Sequence, residues 1–209
     1  MKNENHWSKF ADNFEEKNNY VAGKKNIDEI KHNLLLQNLQ GNGLELGCGN
    51  GTYSPIIAQN AKSLMATDIS DEMITVSNKK LIGLTKVMTK KEDCFSLSFP
   101  DEYFDFIVMV NLLHVIPSPE KAILESKRVL KAGGVLVVAS FTMEKMNILN
   151  RLKLIHRYLR AYGKPPIKTK QLNIKRATSI IEKHGFLIEQ ANLIGKEVHA
   201  LFIRSKKCG

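Results

Sequence analysis

The sequence predicts an α/β fold in which a doubly wound, mostly parallel sheet carries helices on both faces. Short apolar runs alternate with amphipathic segments along the chain, which is the pattern of parallel strands joined by crossover helices. One run, "FDFIVMVN", is almost continuously apolar, as expected of a strand that is covered on both faces. Three closely spaced glycines directly follow the first run. Ligands of such sheets bind at the carboxyl ends of the strands, and the glycines lie at that edge.

Each strand is predicted from a short apolar run that is bounded by turn residues. The first five strands are "LEL" at 44–46, "SLMATD", "TKVMTKKED", "FDFIVMVN" and "GVLVVASF". Two more strands on either side of Gly195 are expected to form an antiparallel hairpin. The third run is unusually polar, so the pattern defines its limits poorly.

The helices are predicted from apolar residues at helical spacing and from residues that favour helix ends. They cover residues 27–39, 53–60, 71–80, 119–132, 143–162 and 174–184. Ser118 is expected to cap the fourth of these helices, and Gly133 follows its end. The helix over 143–162 has one basic and one apolar face. The apolar face carries Ile148, Leu149, Leu152, Ile155, Leu159 and Tyr162.

Length and composition predict a single globular domain. Of the 209 residues, 43% are hydrophobic and 25% are charged, which is enough to build a buried core. No apolar run reaches the length that crosses a bilayer, and the polar amino-terminal stretch lacks the apolar segment of a secretory signal. Cys48, Cys94 and Cys208 are too widely spaced for a disulfide framework or a metal pair. We therefore expect a cytoplasmic protein without a metal site.

The net charge of +10 admits two interpretations. It fits a nucleic-acid or anionic-membrane partner, and it also fits a lysine-rich solvated surface. The basic residues are scattered, except for a rise between Arg151 and Arg176. Net charge affects solubility and non-specific binding, so it does not identify the chemistry.

The segment "LELGCGNGTY" places three glycines between a strand and a helix. Gly47 permits a tight turn, whereas Gly49 and Gly51 lack side chains that would keep a ligand away from the backbone. The helix start adds free N–H groups and partial positive charge. The spacing is one residue shorter than in the G-x-G-x-x-G dinucleotide motif. Glu45 would repel a pyrophosphate, so the loop suits a ligand that carries positive charge nearby.

Polar side chains also stand at the ends of the next three strands. Asp68 ends the second strand, where a carboxylate can accept hydrogen bonds from ribose hydroxyls. Asp93 ends the third strand, where it can accept from an adenine amino group, and Asn111 ends the fourth. Any one of them could instead cap a helix or turn, and Ser70 or Asp71 could cap the helix after Asp68. Together with the glycine loop, they predict a nucleoside site.

Four motifs make the sequence resemble class I S-adenosylmethionine-dependent methyltransferases. They are "LELGCGNG", "ATDIS", "EDCFSLSFPDEYFDFIVMVNLLHVI" and "RVLKAGGVLVVASF", and the resemblance runs from about Leu44 to Phe141. The sequence is most similar to the small-molecule branch of the ubiquinone/menaquinone-biosynthesis type. The resemblance implies a Rossmann-like sheet of seven strands with an antiparallel last strand. It also implies S-adenosylmethionine as methyl donor and S-adenosylhomocysteine as product, but it does not identify the acceptor.

The same resemblance implies roles for individual residues. The loop from Gly47 to Gly51 would pass beneath the methionine and ribose of the cofactor, with Glu45 near the amino group. Asp68 would hold the ribose diol, and Asn111 would border the methionine moiety. The expected cofactor-binding residues are Glu45, Gly47, Cys48, Gly49, Gly51, Asp68, Ile69, Asp93, Cys94, Asn111 and Tyr20.

In the adenine part of that set, Ile69 would pack against the ring, whereas Asp93 and the backbone of Cys94 would recognise its edge. Methyl transfer from a sulfonium is an in-line displacement, for which the protein supplies position and electrostatics. A base is needed only if the acceptor must lose a proton. His114 is the candidate base, because an ordinary histidine titrates near neutral pH. It could instead pack or hydrogen-bond as part of the structure.

Two segments are expected to cover the site. Trp7, Phe10, Phe14 and Tyr20 could form a lid, because an aromatic face suits a cationic sulfonium. Tyr20 is the candidate for contact with the cofactor, whereas Trp7 is expected only to pack its helix onto the sheet. The single domain would comprise an amino-terminal helical cap (1–40), a cofactor-binding core (41–140), a substrate-side insert (141–172) and a carboxy-terminal helix with a hairpin (173–209). The apolar face of the insert would roof the pocket.

The leading hypothesis is an enzyme that methylates a small molecule. An RNA methyltransferase is an alternative prompted by the charge, but "NLLHVIP" stands where amino-methylating enzymes carry (D/N)PP(Y/F). A membrane-associated quinone or lipid methyltransferase is a further alternative, prompted by the basic face of the helix over 143–162. A protein that binds the cofactor without turnover is the remaining one. The sequence leaves the oligomeric state open.

Overall fold

A computed structural model of the chain describes residues 4–165 and 172–209. Within these residues, seven strands form one sheet with the order β3-β2-β1-β4-β5-β7-β6. The strands are β1 (Asn42–Leu46), β2 (Ser63–Asp68), β3 (Val87–Lys91), β4 (Phe104–Val110), β5 (Leu130–Thr142), β6 (Phe186–Ile194) and β7 (His199–Lys207). β1 to β5 pair in parallel, and β7 runs antiparallel to both of its neighbours. The predicted α/β class and the antiparallel last strand are therefore confirmed.

Helices cover both faces of this sheet. In the described part of the chain they are α1 (Glu4–Ser8), α2 (Phe14–Ala22), α3 (Lys24–Leu36), α4 (Ser54–Ile57), α5 (Asp71–Lys80), α6 (Pro119–Val129), α7 (Ile148–Tyr162) and α8 (Ile174–Lys183). A short 3₁₀ helix, Ala11–Asn13, joins α1 to α2. None of these helices is long and apolar enough to cross a membrane.

The core lies on the two faces of the central strands, because successive side chains of a strand point to opposite sides. Leu44 and Leu46 of β1 belong to one buried cluster together with Ile107 and Met109 of β4. Phe106 belongs to the cluster on the opposite face, which includes apolar residues of α3 and α4. Burial on both sides explains the continuous apolar run of β4.

The strand order reverses between β1 and β4, which are neighbours in the sheet although β2 and β3 separate them along the chain. Leu46 at the end of β1 is paired with Met109 of β4. The residues that follow these two strands therefore leave the sheet side by side at its carboxyl edge. This is the position at which open α/β sheets bind ligands.

Several predicted element limits are wrong. The predicted helix over 53–60 is reduced to the single turn of α4, so the glycine loop does not run into a long helix. The helix predicted to reach residue 132 ends at Val129, because β5 begins at Leu130 and already pairs with β4 there. The side chain of Ser118 forms no capping hydrogen bond, whereas Ser70 does cap α5 by accepting a bond from Met73 N at 3.1 Å.

The polar third strand was predicted correctly, and its place in the sheet explains its composition. β3 lies at the edge and pairs only with β2 among the described strands. Its polar residues Thr89, Lys90 and Lys91 are suited to such an edge, since exposed polar and charged side chains discourage pairing with other chains. The polarity reflects position and not a weak strand.

The amino-terminal helices pack against α7 through an aromatic cluster. Trp7, Phe10 and Phe14 surround Tyr162, with ring centroids 5.2 to 6.2 Å from the centre of its ring. Lys17 of α2 donates a hydrogen bond from Nζ to the carbonyl oxygen of Ala161 at 2.6 Å. The cluster holds the amino-terminal helices against the end of α7. Residues 166–171 of the predicted insert, and residues 1–3 of the predicted cap, lie outside the described residues.

Candidate functional site

A cavity of about 710 Å³ opens where the carboxyl ends of β1, β2 and β4 meet. Its floor is formed by the loops after these strands. Its cover is formed by α2, the amino-terminal aromatic residues and the inner side of α7. The volume is in the range of small-molecule sites, and such sites combine apolar walls with a few polar groups. The sheet supplies those polar groups, as described below.

The glycine loop supplies a bare stretch of backbone to this cavity. Gly49 has φ +54°, and a Cβ there would have Phe14 Cε1 as its nearest neighbour at 3.7 Å, so the position opens toward the cavity under α2. Gly47 has φ +70°, and a Cβ there would lie 2.8 Å from Leu112 Cδ1. Gly51 faces away: a Cβ there would lie 3.0 Å from Leu81 Cδ1, at the end of α5. Its expected role of making room for a ligand is therefore replaced by close packing.

Asp68 joins the glycine loop to the end of β2. Its Oδ2 accepts a hydrogen bond from Gly49 N at 2.9 Å, and its Oδ1 accepts one from Ser70 N at 3.0 Å. The carboxyl lines the cavity. Burial raises its pKa, although the backbone hydrogen bonds act in the opposite direction. Each oxygen of an ionised carboxylate can accept more than one bond, so Asp68 holds the loop and can still accept from a ligand.

Glu45 lies behind the loop, not on the cavity surface. The residue is 1% exposed, and its Oε2 accepts a hydrogen bond from Ser54 Oγ at 2.5 Å. Burial raises the pKa of this carboxyl to about 7, and the nearby charge of Asp68 acts in the same direction. A positive charge brought close to these two carboxyl groups would favour the ionised form of Glu45.

The residues expected around an adenine are also brought together. Ile69, Asp93 and Cys94 line the cavity near the ends of β2 and β3. Asp93 accepts a hydrogen bond at Oδ1 from Phe95 N at 2.9 Å, which shapes a tight turn. Burial raises the pKa of the Cys94 thiol to about 12, and it also raises that of Cys48. Both thiols are therefore protonated at neutral pH and unsuited to nucleophilic chemistry.

Asn111 stands in a left-handed conformation directly after β4, with φ +57°. Asparagine is one of the few residues besides glycine that tolerate this region. Its Oδ1 accepts a hydrogen bond from Phe141 N at 3.0 Å, which ties the end of β4 to the end of β5. The strained turn lines the cavity. Such strain at a cavity wall is a common feature of functional sites.

His114 lines the same wall, with Nδ1 2.5 Å from Ser140 Oγ. Burial lowers the pKa of its imidazole to about 4. The ring is therefore neutral at pH 7, and it is a weaker proton acceptor than an ordinary histidine. This environment suits a positioned hydrogen-bonding group at least as well as the predicted base.

The buried imidazole predicts a pH-dependent loss of stability. An ordinary histidine takes up its proton near pH 6.5, whereas this one in the folded chain does so only near pH 4. Proton binding therefore favours the unfolded state as the pH falls through this window, and it lowers the free energy of unfolding by at most about 3 kcal/mol. Chemical denaturation at pH 7 and pH 4 should show a smaller loss for His114→Gln than for the unsubstituted chain. An equal loss in both proteins would contradict the prediction.

The aromatic cover agrees with the sequence expectation in part, since Trp7 and Phe14 of the expected lid line the cavity and Phe10 and Tyr20 do not. Trp7, Phe14, Tyr158 and Tyr162 line the cavity, whereas Tyr20, the predicted contact, is 45% exposed and lies outside the cavity wall. Trp7 Nε1 and the Tyr162 hydroxyl are buried without a hydrogen-bond partner among the described residues. Unpaired buried polar groups are costly, so the cover holds two unsatisfied polar atoms on residues that line the cavity. Only the contact of α7 with the amino-terminal helices reveals them.

The described residues bring the expected site residues to the cavity wall with three exceptions, of which Glu45 lies behind the loop. Tyr20 lies apart, and Gly51 packs against α5. No group of His, Cys, Asp and Glu side chains in residues 4–165 and 172–209 is arranged to hold a metal ion. The cavity wall offers carboxylate acceptors at Asp68 and Asp93 and bare backbone at Gly49, and it can enclose an apolar molecule beneath aromatic rings.

Comparisons with known proteins agree with this geometry. A family model described as a methyltransferase domain matches residues 44–138. A demethylmenaquinone methyltransferase of Clavibacter sepedonicus is 32% identical over 52% of this chain and 44% of its own length. A phosphatidylethanolamine N-methyltransferase of Cereibacter sphaeroides is 32% identical over 59% of this chain and 62% of its own length. The chain thus spans less than two thirds of these curated relatives.

A solved structure shows a similarity that covers most of both chains. The crystal structure of an S-adenosylmethionine-dependent methyltransferase from Methanosarcina mazei superimposes with a TM-score of 0.64. It is 26% identical and covers 80% of this chain and 92% of its own.

Proposed function

The chain carries a class I S-adenosylmethionine-dependent methyltransferase domain, and from this premise we propose that it transfers a methyl group from S-adenosylmethionine to a small, largely apolar acceptor. One observation carries the proposal. Two carboxylates and an open glycine position lie at the switch point of the sheet, directly beneath an aromatic-roofed cavity of about 710 Å³. The family accounts for the methyl donor, whereas the class of acceptor is inferred from the cavity.

The residues present fit the cofactor. The open position at Gly49 leaves space that a Cβ would fill, and Asp68 retains acceptor capacity toward the cavity. When bound, S-adenosylmethionine supplies an activated methyl group next to a positive sulfur. Asp68 would then accept from the ribose hydroxyls, and Glu45, behind the loop, would balance the positive charge of the amino group. Ile69 and Asp93 would enclose the adenine.

The protein's own contribution to the reaction would be positioning and exclusion of water. Asn111 would hold the turn that borders the sulfonium, because its side chain ties β4 to β5. Trp7 and Tyr162 would cover the cavity with their aromatic rings. His114, neutral at pH 7, would orient a polar group of the acceptor by hydrogen bonding. It would be a weak general base. Holding two reactants in line is itself a large part of the rate enhancement.

An apolar acceptor is supported by the cover of the cavity and by two relatives. The side chains above the floor are mainly aromatic and aliphatic, among them Phe14, Leu154 and Tyr158. The two curated relatives described above are named for demethylmenaquinone and phosphatidylethanolamine. Both names denote molecules with long apolar parts. We propose the same broad class for this chain without selecting one compound.

Calorimetric titration with S-adenosylhomocysteine tests the proposal most directly. The expected result is saturable one-to-one binding, with NAD as a matched control that does not bind. Both ligands carry an adenosine, but the pyrophosphate of NAD would lie close to the negative charge of Asp68 and to the buried carboxyl of Glu45 behind the loop. Binding of NAD in place of S-adenosylhomocysteine would overturn the assignment. Transfer of labelled methyl groups to lipid-extract acceptors then tests turnover.

Glu45 makes a second measurement possible. Because its pKa lies at about 7, the carboxyl is partly protonated at neutral pH. A cationic ligand should ionise it, so binding of S-adenosylmethionine at pH 7 is expected to release about half a proton. Calorimetry in buffers of different ionisation enthalpy measures this number, and Glu45→Gln should abolish it. Proton release that persists in Glu45→Gln would assign the effect to another group.

A further inference from the structure

We propose that the outward face of α7 docks onto an anionic lipid surface, so that an apolar acceptor enters the cavity from the membrane side. The docking part concerns a surface outside the cofactor site. The route of the acceptor rests on the proposed function. The inference combines three observations: an exposed apolar stripe, its continuity with the cavity wall, and the position of the chain's excess positive charge.

The outward face of α7 carries an unusual set of exposed aliphatic side chains. Residues separated by three or four positions lie on one side of a helix, and four of them form the stripe: Ile148, Leu152, Ile155 and Leu159. Their exposed fractions are 77%, 60%, 42% and 47%, respectively. Leu149, beside the stripe, is 61% exposed. Single exposed apolar residues are normal, but a contiguous group marks an interaction surface.

The stripe is continuous with the cavity. Ile155 and Leu159 line the cavity and are also exposed to solvent, whereas Ile148 and Leu152 extend the same apolar surface outward along the helix. An apolar molecule could therefore pass from the outer end of the stripe to the cavity without crossing a polar barrier on α7. A face that only packed against another protein would not need this continuity.

The excess positive charge of the whole chain falls in the stretch of sequence that contains α7. Between Glu144 and Glu182 the sequence has ten Lys or Arg residues and no Asp or Glu. The chain has 31 Lys and Arg against 21 Asp and Glu, a net charge of +10, so the remainder of the molecule is neutral in formal charge. Lys145, Arg151, Lys153 and Arg160, all exposed, stand on or next to α7.

Apolar and basic residues together favour a lipid surface over other partners. A helix with an aliphatic stripe and flanking cations lies in the membrane interface, where the stripe enters the acyl boundary and the cations meet anionic headgroups. RNA would engage the cations but would leave Ile148 and Leu152 exposed to water. A second copy of this chain would bring like charges together. The combination therefore complements an anionic bilayer.

Sedimentation with lipid vesicles tests the inference. The chain is expected to bind vesicles of phosphatidylcholine with phosphatidylglycerol, and to bind pure phosphatidylcholine much more weakly. Leu152→Glu should reduce the bound-to-free ratio about tenfold, because it removes a membrane-buried leucine. The pair Arg151→Gln and Lys153→Gln should reduce the ratio by about fivefold for each charge, since each cation near an anionic surface contributes about 1 kcal/mol.

Leu124→Glu is the matched control, since Leu124 is an exposed leucine on α6 (56%) and away from the stripe. It should leave vesicle binding unchanged. Equal binding to both vesicle types, an equal effect of Leu152→Glu and Leu124→Glu, or a chain dimer that Leu152→Glu dissociates would overturn the inference. So would binding to single-stranded RNA that is tighter than vesicle binding and insensitive to Leu152→Glu.

Titration of Leu152→Glu with S-adenosylhomocysteine separates this inference from the proposed function. Unchanged affinity shows that the variant is folded and that its loss of vesicle binding is specific to the docking face. If the unsubstituted chain binds vesicles but not S-adenosylhomocysteine, the proposed function fails while the docking face stands. The reverse result overturns the docking face alone.

Discussion

Replacing Asp68 by alanine is expected to weaken binding of S-adenosylhomocysteine by about a hundredfold or more. The variant would lack the hydrogen bonds that the carboxylate is proposed to accept from the ribose hydroxyls. The variant would also lack the hydrogen bonds that the carboxylate accepts from Gly49 N and Ser70 N, which hold the glycine loop in place. The two effects act on the same ligand, so their sum is larger than either alone. Calorimetry measures the affinity, and thermal unfolding shows how much of the loss is structural.

Asp71→Ala provides the control for this prediction. Asp71 is only three residues further along the chain, but it is exposed and forms a surface ion pair with Lys91. Such pairs contribute little, so the affinity should change by less than about threefold. Asp68→Asn, which keeps an oxygen acceptor, is expected to fall between the two. An Asp68→Ala chain that binds as well as the unsubstituted one would remove the carboxylate from the site.

Gly43→Ala is expected to produce the largest loss of stability of any single methyl addition considered. A Cβ at this position would overlap the ring of Phe106, which is 1% exposed and lies in the neighbouring strand. Neither the ring nor the paired backbone can move without disturbing the core. We expect a loss of about 3 kcal/mol, which for a chain of this size lowers Tm by about 6 to 12 °C. Differential scanning calorimetry measures the shift.

The space around other glycines supplies the comparison. A Cβ at Gly83 would meet no atom within 4 Å, so Gly83→Ala carries only the cost of its positive φ, about 1 kcal/mol. Adding Phe106→Leu to Gly43→Ala should recover part of the lost stability, because the smaller side chain makes room. A Tm for Gly43→Ala that matches the unsubstituted chain would show that β1 and β4 are packed less closely than described.

The sequence predicted the floor of the site well because strand ends obey a simple rule. Once β1, β2 and β4 are recognised from their apolar runs, parallel pairing brings Gly49, Asp68 and Asn111 to one edge whatever the details of the helices. The confirmed sheet and the match to a methyltransferase-domain model over residues 44–138 follow from the same local signals. The bond between Asp68 and Gly49 could not be read from the sequence, because it depends on how the loop folds back across β2.

The cover was predicted only in part, because it depends on contacts between distant parts of the chain. An aromatic residue looks the same in sequence whether it faces a cavity, as Trp7 does, or solvent, as Tyr20 does. The face of α7 is a similar case. Helical spacing correctly grouped Ile148, Leu152 and Leu159, but it could not show that only the carboxy-terminal part of this apolar side lines the cavity, whereas Ile148 and Leu152 are exposed to solvent. Helical periodicity reports which residues share a face, not what that face meets.

The interior position of β7 has a consequence for how the molecule assembles. β7 is the last strand along the chain, yet it lies between β5 and β6 in the sheet. The edge strand β6 pairs only with β7 among the described strands. The flank of β5 therefore stays open until the final hairpin arrives, and contacts between such distant segments form slowly. We expect this hairpin to dock as one unit, late in folding, and to be released as one unit when the molecule begins to unfold.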